Sequence, residues 1–500
     1  MYISEIITVE DIEKWHGMCK ILIKAPCGTG KTRFVLDVLY AYARERGWKI
    51  LYLCNRKLLR EQIESIIQEE GKDDVFTLLN YQKMEYDFNH APWEETRQLA
   101  IAREINENYD MVISDEAHYY FTDSWAGLTS NVMLLAISRF VTIPVIYMTA
   151  TPQILEQYQP FLEEFIYDVP KIPQIRSAYY FSHDDAIERR IDFILRNTND
   201  KIIYFGRSTK RLLELKRKYG DDCMFVCAET NDNASHMDME KRDAMIRNSK
   251  FEARILLATS ALDNGINIKD SQVRHIICEY PDVITTIQCI GRKRFLGGDD
   301  FIDIYIKNEP YYQGLLQESK KKFRRMHDYL TMDVEEFKIN YKELLGKEGF
   351  ALNDSDENIG NLPFLVVDSN YYKTKYDIEF YESIVGHGYT AYIKRLCDEM
   401  GLPFNIFRRL EDDLNYLDII SVLDSLEGQR LFKNDQKQLK KFFAEQLYRW
   451  KKESRYSGIN GINKFLEKIG LDATYKVVSK QYRNSKTKKK ETIWEVKKNA

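Results

Sequence analysis

The sequence predicts an α/β protein with two doubly wound, parallel-sheet lobes in tandem, followed by a mostly helical C-terminal region. Three observations predict it. Short apolar runs alternate with amphipathic helical patterns up to about residue 307, as in strands joined by right-handed crossovers with helices on both faces. Pro170 and Pro173 interrupt this alternation once, so it is read as two lobes and a linker. Beyond residue 310 the apolar residues recur mainly at three- and four-residue spacing, the pattern of helices packed on one another. The expected domains are 1–170, 174–309, 310–456 and 457–500.

The first strand, Ile21-Leu22-Ile23, runs into Ala25-Pro26-Cys27-Gly28-Thr29-Gly30-Lys31-Thr32 and then a helical pattern. Gly28 and Gly30 let successive backbone N–H groups turn toward one anion, and the following helix adds the positive end of its dipole. Gly28, Thr29, Gly30, Lys31 and Thr32 are therefore expected to bind a nucleotide, Lys31 reaching the terminal phosphates and Thr32 holding Mg²⁺ through its hydroxyl. The first glycine of the common pattern is replaced by Ala25.

A later strand, Met111-Val112-Ile113, ends at Asp115-Glu116-Ala117-His118. Carboxylates at the C-terminal end of a parallel strand face the crevice where ligands bind. Asp115 is placed to hold Mg²⁺ through its water shell, and Glu116 to orient and deprotonate the attacking water. His118 either packs or relays nucleotide state to the neighbouring domain.

These two elements resemble the superfamily 2 DEAD/DEAH-box helicases, in particular DEAH-type members of phage, restriction and repair systems, and the rest of that family's motifs follow in order. Ile50-Leu51-Tyr52-Leu53 with Asn55-Arg56 and Gln62 resembles motif Ia, and Leu79-Asn80-Tyr81-Gln82 resembles motif Ib. Ile146-Tyr147-Met148-Thr149-Ala150-Thr151-Pro152 is similar to motif III, and Ile202-Ile203-Tyr204-Phe205-Gly206-Arg207-Ser208 to motif IV. The run from Ile255 through Thr259 and Gly265 to Asn267 resembles motif V. The resemblance implies two RecA-like lobes with ATP and Mg²⁺ between them. It further implies nucleic acid contacts from Arg56, Tyr81, Gln82, Arg207 and Thr259, a nucleotide contact from Gly265, and coupling of hydrolysis to lobe movement through His118, Thr149 and Thr151.

Gln288-Cys289-Ile290-Gly291-Arg292-Lys293-Arg294-Phe295 resembles the Q-x-x-G-R-x-x-R motif, with one departure. The family's last arginine, a finger that neutralises charge on the γ-phosphate, falls on Phe295, and Arg294 stands one residue earlier. The resemblance makes Gln288, Arg292 and Arg294 catalytic candidates beside Lys31, Asp115 and Glu116. Lys293 and Arg294 can also be read as a solvated basic loop.

The composition fits this reading. A 500-residue chain with 44% hydrophobic residues can build several ordinary cores. Its net charge of −4 excludes a uniformly basic, DNA-coating protein, though not a motor with one basic channel. Neither a signal peptide nor an apolar run of about 18 residues is present, so a cytoplasmic location without membrane contact is expected. The eight cysteines form no disulfide framework, and Cys223, Cys227 and His236 lack the second ligand pair of a zinc site.

In the C-terminal third, residues 377–400 and 412–450 read as helices, with Phe442, Phe443, Tyr448 and Trp450 as core by default and base-stacking groups as the alternative. Residues 461–470 read as a short helix, and 475–482 and 492–496 as two strands around a lysine-rich turn. That end resembles a winged-helix module resting on phosphates, or is a frayed basic tail. The sequence thus leads to the expectation of an ATP-dependent helicase or translocase acting on DNA in preference to RNA. A nuclease or replication protein is the expected partner class. An ATP-gated binding subunit with weak ATPase, or an RNA helicase, are the alternatives.

Overall fold

The computed structural model describes residues 2–26, 28–54, 57–81, 83, 97–122, 129–170, 174–228, 231–259, 267–308, 311–341, 368–451, 458–483 and 490–498. Lobe 1 holds six strands: β1 (Lys20–Lys24), β2 (Ile50–Cys54), β3 (Phe76–Asn80), β4 (Met111–Asp115), β5 (Val145–Thr149) and β6 (Ile166–Asp168). They pair in the order β3-β2-β4-β5-β1-β6, every pair parallel. Strands β2, β4 and β5 are buried throughout, which explains their unbroken apolar runs. The helix after the glycine loop, α1, runs through Lys31–Arg33, a π-helical stretch Phe34–Leu39, and Tyr40–Arg46. Its Val35, Leu36 and Leu39 pack with Ile21, Ile23, Tyr52, Ile113 and Met148 in one core. Two shorter helices, α2 (Tyr119–Thr122) and α3 (Gln153–Tyr158), follow β4 and β5.

The second sheet begins with β7 (Ile175–Phe181) and continues with β8 (Lys201–Phe205), β9 (Cys223–Val226), β10 (Ile255–Ala258), β11 (Val273–Cys278) and β12 (Ile302–Lys307). Five of these pair in parallel in the order β12-β11-β8-β10-β9. The two α/β lobes of the sequence reading are therefore present, each with a parallel sheet.

The chain forms two compact units, Met1–Ala178 with Asn199–Ile406, and Tyr179–Thr198 with Phe407–Ala500. The first contains the lobe 1 sheet and the five strands β8–β12 of the second sheet. It also contains α5 (Val283–Ile290), α6 (Tyr312–Thr331), α7 (Asp368–Ile384) and α8 (Ala391–Met400), while α4 (Asp184–Asn197) belongs to the second. Helix α7 packs on α2 and α3 of lobe 1, and α8 on α5 of lobe 2. Gln157 donates to Glu379 at 2.7 Å, Gln153 to Glu399, and the Tyr392 hydroxyl to the Tyr280 carbonyl at 3.0 Å. This helix pair is thus a strap fastened to both lobes. Its turn contains Gly386 at φ +83° and Gly388 at φ +93°, conformations that other L-residues rarely adopt.

In the second unit the short strand β13 (Phe407–Arg409) precedes α9 (Leu410–Leu426), α10 (Lys433–Lys451) and α11 (Ile459–Lys468). Helix α4, which sequence order assigns to lobe 2, packs on α9, where Arg189 meets Asp418 at 3.0 Å and Arg190 meets Asp413. Phe443 is fully buried here with Phe465 and Leu466, as the default reading expects. Side chains of Tyr448 and Trp450 lie outside the described residues. The antiparallel hairpin of β14 (Tyr475–Arg483) and β15 (Lys490–Lys498) is longer than the sequence suggests, with Tyr475 opposite Lys498 and Arg483 opposite Lys490. Between them, 484–489 lie outside the described residues. Among the described residues no helix is long and apolar enough to cross a membrane.

Candidate active site between the lobes

The phosphate loop leaves β1 at Lys24, beside β5, where the Ala25 N–H donates to the Thr149 carbonyl at 2.8 Å. Gly28 (φ +80°) and Gly30 (φ +89°) adopt the left-handed conformations that glycine allows. Thr29 is buried and its hydroxyl donates to the Pro26 carbonyl at 2.7 Å, closing the loop. Lys31 and Thr32 open α1. The Lys31 ammonium is nearly buried, donating to the Ala25 carbonyl at 3.1 Å and meeting Glu116 Oε1 at 3.0 Å. Cys27 lies outside the described residues.

Asp115 ends β4 inside the protein, and its carboxylate is tied on both oxygens. Oδ1 accepts the Glu116 N–H at 3.0 Å and Oδ2 accepts the Tyr52 hydroxyl at 2.8 Å. Glu116 has φ +51°, one of two non-glycine residues in the left-handed region among the described residues. Such strain persists where surrounding contacts over-determine it, and it concentrates at functional sites. Burial and the adjacent Glu116 charge push Asp115 up to about 6. Burial acts in the same direction on Glu116, but Lys31, followed by His118 and Arg292, outweighs it and holds that carboxyl down at about 2. Glu116 is thus the ionised member at neutral pH. Its Oε2 is buried without a hydrogen-bond partner among the described residues.

His118 is buried, which lowers its imidazole to about 4 and keeps it neutral at pH 7. Its Nδ1 lies 3.0 Å from Thr149 Oγ1, which also accepts the Thr151 N–H at 3.1 Å. The structure therefore brings His118, Thr149 and Thr151 into one hydrogen-bonded chain from β4 to β5.

From lobe 2, α5 presents Gln288, and Arg292 follows its C-terminal end; both are buried. The Arg292 guanidinium donates to the Gln288 carbonyl at 3.1 Å and to its side-chain oxygen at 2.9 Å. It also lies close enough to lower both Glu116 and His118 of lobe 1. Residues 292–294 are held beside Ile268, whose N–H donates to the Arg292 carbonyl and whose carbonyl accepts the Arg294 N–H. Lys293 is not the solvated residue of a basic loop. Its ammonium is fully buried against Asp300 at 2.7 Å, because the local backbone turns it inward. Arg294 donates from Nε to Asn267 Oδ1 at 2.6 Å.

The nucleic acid candidates separate. Arg207 is exposed at the end of β8, and Thr259 is half-buried after β10. Tyr81 does not face a polynucleotide. It is 1% exposed, its ring lies 4.4 Å from that of Tyr120 at a 43° tilt, and its hydroxyl donates to the Asp115 carbonyl at 2.6 Å, so a direct contact gives way to an internal one. Arg56, Gln82 and Gly265 lie outside the described residues. Sequence reading missed Tyr52 and Tyr81 as supports of Asp115; the one signal was their place in the stretches resembling motifs Ia and Ib.

Two family profiles match the chain in the order of its lobes. "Type III restriction enzyme, res subunit" matches residues 3–154, and "helicase conserved C-terminal domain" matches residues 185–294. The chain is a superfamily 2 helicase. The profiles cover the segments that carry the phosphate loop, Asp115-Glu116 and the Gln288–Arg294 segment, so this helicase has its site residues on both matched domains. No curated protein matches it. Among solved structures, it is similar to S. cerevisiae Dbp5 bound to RNA and ADP BeF3, with 15% identity over 58% of this chain and 78% of that one and a TM-score of 0.41. Mss116p bound to ssRNA and AMP-PNP matches with 16% identity over 63% and 70%, TM-score 0.43. Lhr of Mycobacterium smegmatis bound to ssDNA and AMP-PNP matches with 15% identity over 60% and 45%, TM-score 0.40. At these scores the family membership rests on the two profiles.

Superfamily 2 helicases in general bind ATP with Mg²⁺. The residues here fit that pair: left-handed glycines shape the loop, a buried ammonium stands at it, and a buried carboxylate oxygen has no hydrogen bond among the described residues. Among the described residues no cluster of three or more His, Cys, Asp or Glu could hold a metal ion.

Proposed function

We propose that this helicase hydrolyses ATP between its lobes and uses the cycle to translocate along or unwind nucleic acid, with DNA preferred to RNA. The observation that carries the reading is the Lys31 ammonium of the phosphate loop held 3.0 Å from the Glu116 carboxylate that follows β4. Bound MgATP supplies a phosphoanhydride to be cleaved and a dication that offsets its charge. Lys31 would hold the terminal phosphates, with Thr32 and Asp115 on the metal. Glu116, kept ionised, would orient a water and take its proton. Gln288 and Arg292 would close on the phosphate from the other side, so the nucleotide favours the closed lobes and its loss releases them.

The DNA preference draws on the stretches resembling motifs Ia and Ib and on the first profile being that of a restriction-enzyme subunit. A nuclease or replication protein in the cytoplasm is the partner class that follows. ATPase rates with single-stranded DNA, duplex DNA and RNA test the reading. Stimulation by either DNA is expected, and stimulation by RNA alone would overturn the preference. A second reading, an ATP-gated binding subunit with weak turnover, is favoured by Phe295 at the finger position and by the Arg294 bond to Asn267. Tight ATP-dependent binding without turnover on any polynucleotide would select it.

A further inference from the structure

Two tyrosine hydroxyls converge on Asp115 from elsewhere in lobe 1. Tyr52, on β2, is fully buried and donates to Asp115 Oδ2 at 2.8 Å. Tyr81, just after β3, donates to the Asp115 carbonyl at 2.6 Å. Phenylalanine would fill both places without a hydroxyl to satisfy, and leaving a buried hydroxyl unpaired costs about 1–3 kcal/mol. These hydroxyls therefore act on what they touch.

The two contacts act on different parts of the site. The peptide joining Asp115 to Glu116 is held at both ends, its carbonyl by Tyr81 and its N–H by Asp115 Oδ1 at 3.0 Å. That peptide leads directly into the left-handed backbone of Glu116, whose buried Oε2 has no hydrogen bond among the described residues and lies 3.5 Å from His118 Nδ1. Tyr52 instead occupies one lone pair of Oδ2 and so selects which lone pairs of the carboxylate remain for a metal's water shell.

We propose that Tyr81 and Tyr52 are positioning residues for hydrolysis, Tyr81 aiming the Glu116 carboxylate through the Asp115–Glu116 peptide and Tyr52 orienting the Asp115 carboxylate. This rests on the ATPase reading above. The test uses the full chain, wild type and three variants, Tyr81→Phe, Tyr52→Phe and Tyr120→Phe. The last removes a neighbouring hydroxyl of the same cluster, since the Tyr120 ring lies 4.4 Å from that of Tyr81 and its hydroxyl accepts from Ser114 at 3.1 Å, while Ser114 Oγ lies 3.0 Å from the Tyr81 hydroxyl.

Tyr81→Phe is expected to lower kcat about ten-fold, the size of one lost hydrogen bond expressed in the transition state. Its KM for ATP and its half-saturating Mg²⁺ stay at wild-type values. Tyr52→Phe is expected to raise the half-saturating Mg²⁺ several-fold. Tyr120→Phe lowers the thermal midpoint as much as Tyr81→Phe does, with kcat unchanged. Equal kcat in Tyr81→Phe and Tyr120→Phe, with wild-type Mg²⁺ dependence in Tyr52→Phe, overturns the proposal. Should Tyr81→Phe fail to fold, the Mg²⁺ titration of Tyr52→Phe decides alone. Wild-type protein that does not hydrolyse ATP on any polynucleotide overturns the ATPase reading instead, a result distinct from active wild type with indifferent variants.

Discussion

Lobe 1 and lobe 2 bring their charges to the cleft on different kinds of backbone. Asp115 ends a strand that is paired on both sides, Glu116 follows it, and both polar groups of the peptide between them are bonded. Arg292 and Arg294 ride on an irregular segment held by Ile268, by the buried Lys293–Asp300 pair and by Asn267. The lobe 1 carboxylates thus stand at and just beyond the end of a sheet strand. The groups that only supply positive charge hang from a few anchors. The difference teaches that the two lobes should respond unequally to loss of a single contact.

The largest effect expected is that of Lys31→Ala, which removes the only described cation paired with Glu116 at the loop and should abolish ATP hydrolysis in a steady-state assay. Normal turnover would remove lobe 1 from the site altogether. Next is Asp300→Asn, which leaves the Lys293 ammonium buried without its carboxylate. Breaking such a pair typically costs about 3–5 kcal/mol, readable as a lower denaturant midpoint. A smaller loss would mean that the lobe 2 segment relaxes and lets the lysine reach water. Phe295→Arg should raise turnover about ten-fold, about 1.4 kcal/mol of barrier, by restoring a guanidinium at the finger position. No change would mean that Arg294 leaves Asn267 to serve in the loaded enzyme. Asn267→Ala, the mildest, should cost about 0.5–1.5 kcal/mol of stability, measured by urea unfolding, since one hydrogen bond is lost on a half-buried side chain.

The elements with a strong local signal were legible in the sequence. The apolar runs 21–23, 50–53 and 111–113 are strands because both faces of a parallel sheet are covered, and the glycines at 28 and 30 mark the loop because few other residues take that φ. Contacts set by distant partners were not legible. Tyr81 reads as a nucleic acid contact from its place in the stretch resembling motif Ib, yet its ring lies buried against Tyr120, far along the chain, and its hydroxyl finds an acceptor in Asp115. Lys293 reads as solvated because a lone lysine usually is; only Asp300, seven residues on and folded back, makes its burial tolerable. Helix α4 carries no signal in its own periodicity for joining the C-terminal unit, since the complementary charges Asp413 and Asp418 lie more than two hundred residues later.

The strap of α7 and α8 bears on how far such an enzyme can open. Because one helical hairpin grips α2 and α3 on one side and α5 on the other, the gap at the nucleotide is geared to the elbow at Gly386 and Gly388. Were the two lobes to part, that elbow would have to flex or Gln153 release Glu399. A strap built after the second lobe in the chain thus ties the two lobes together.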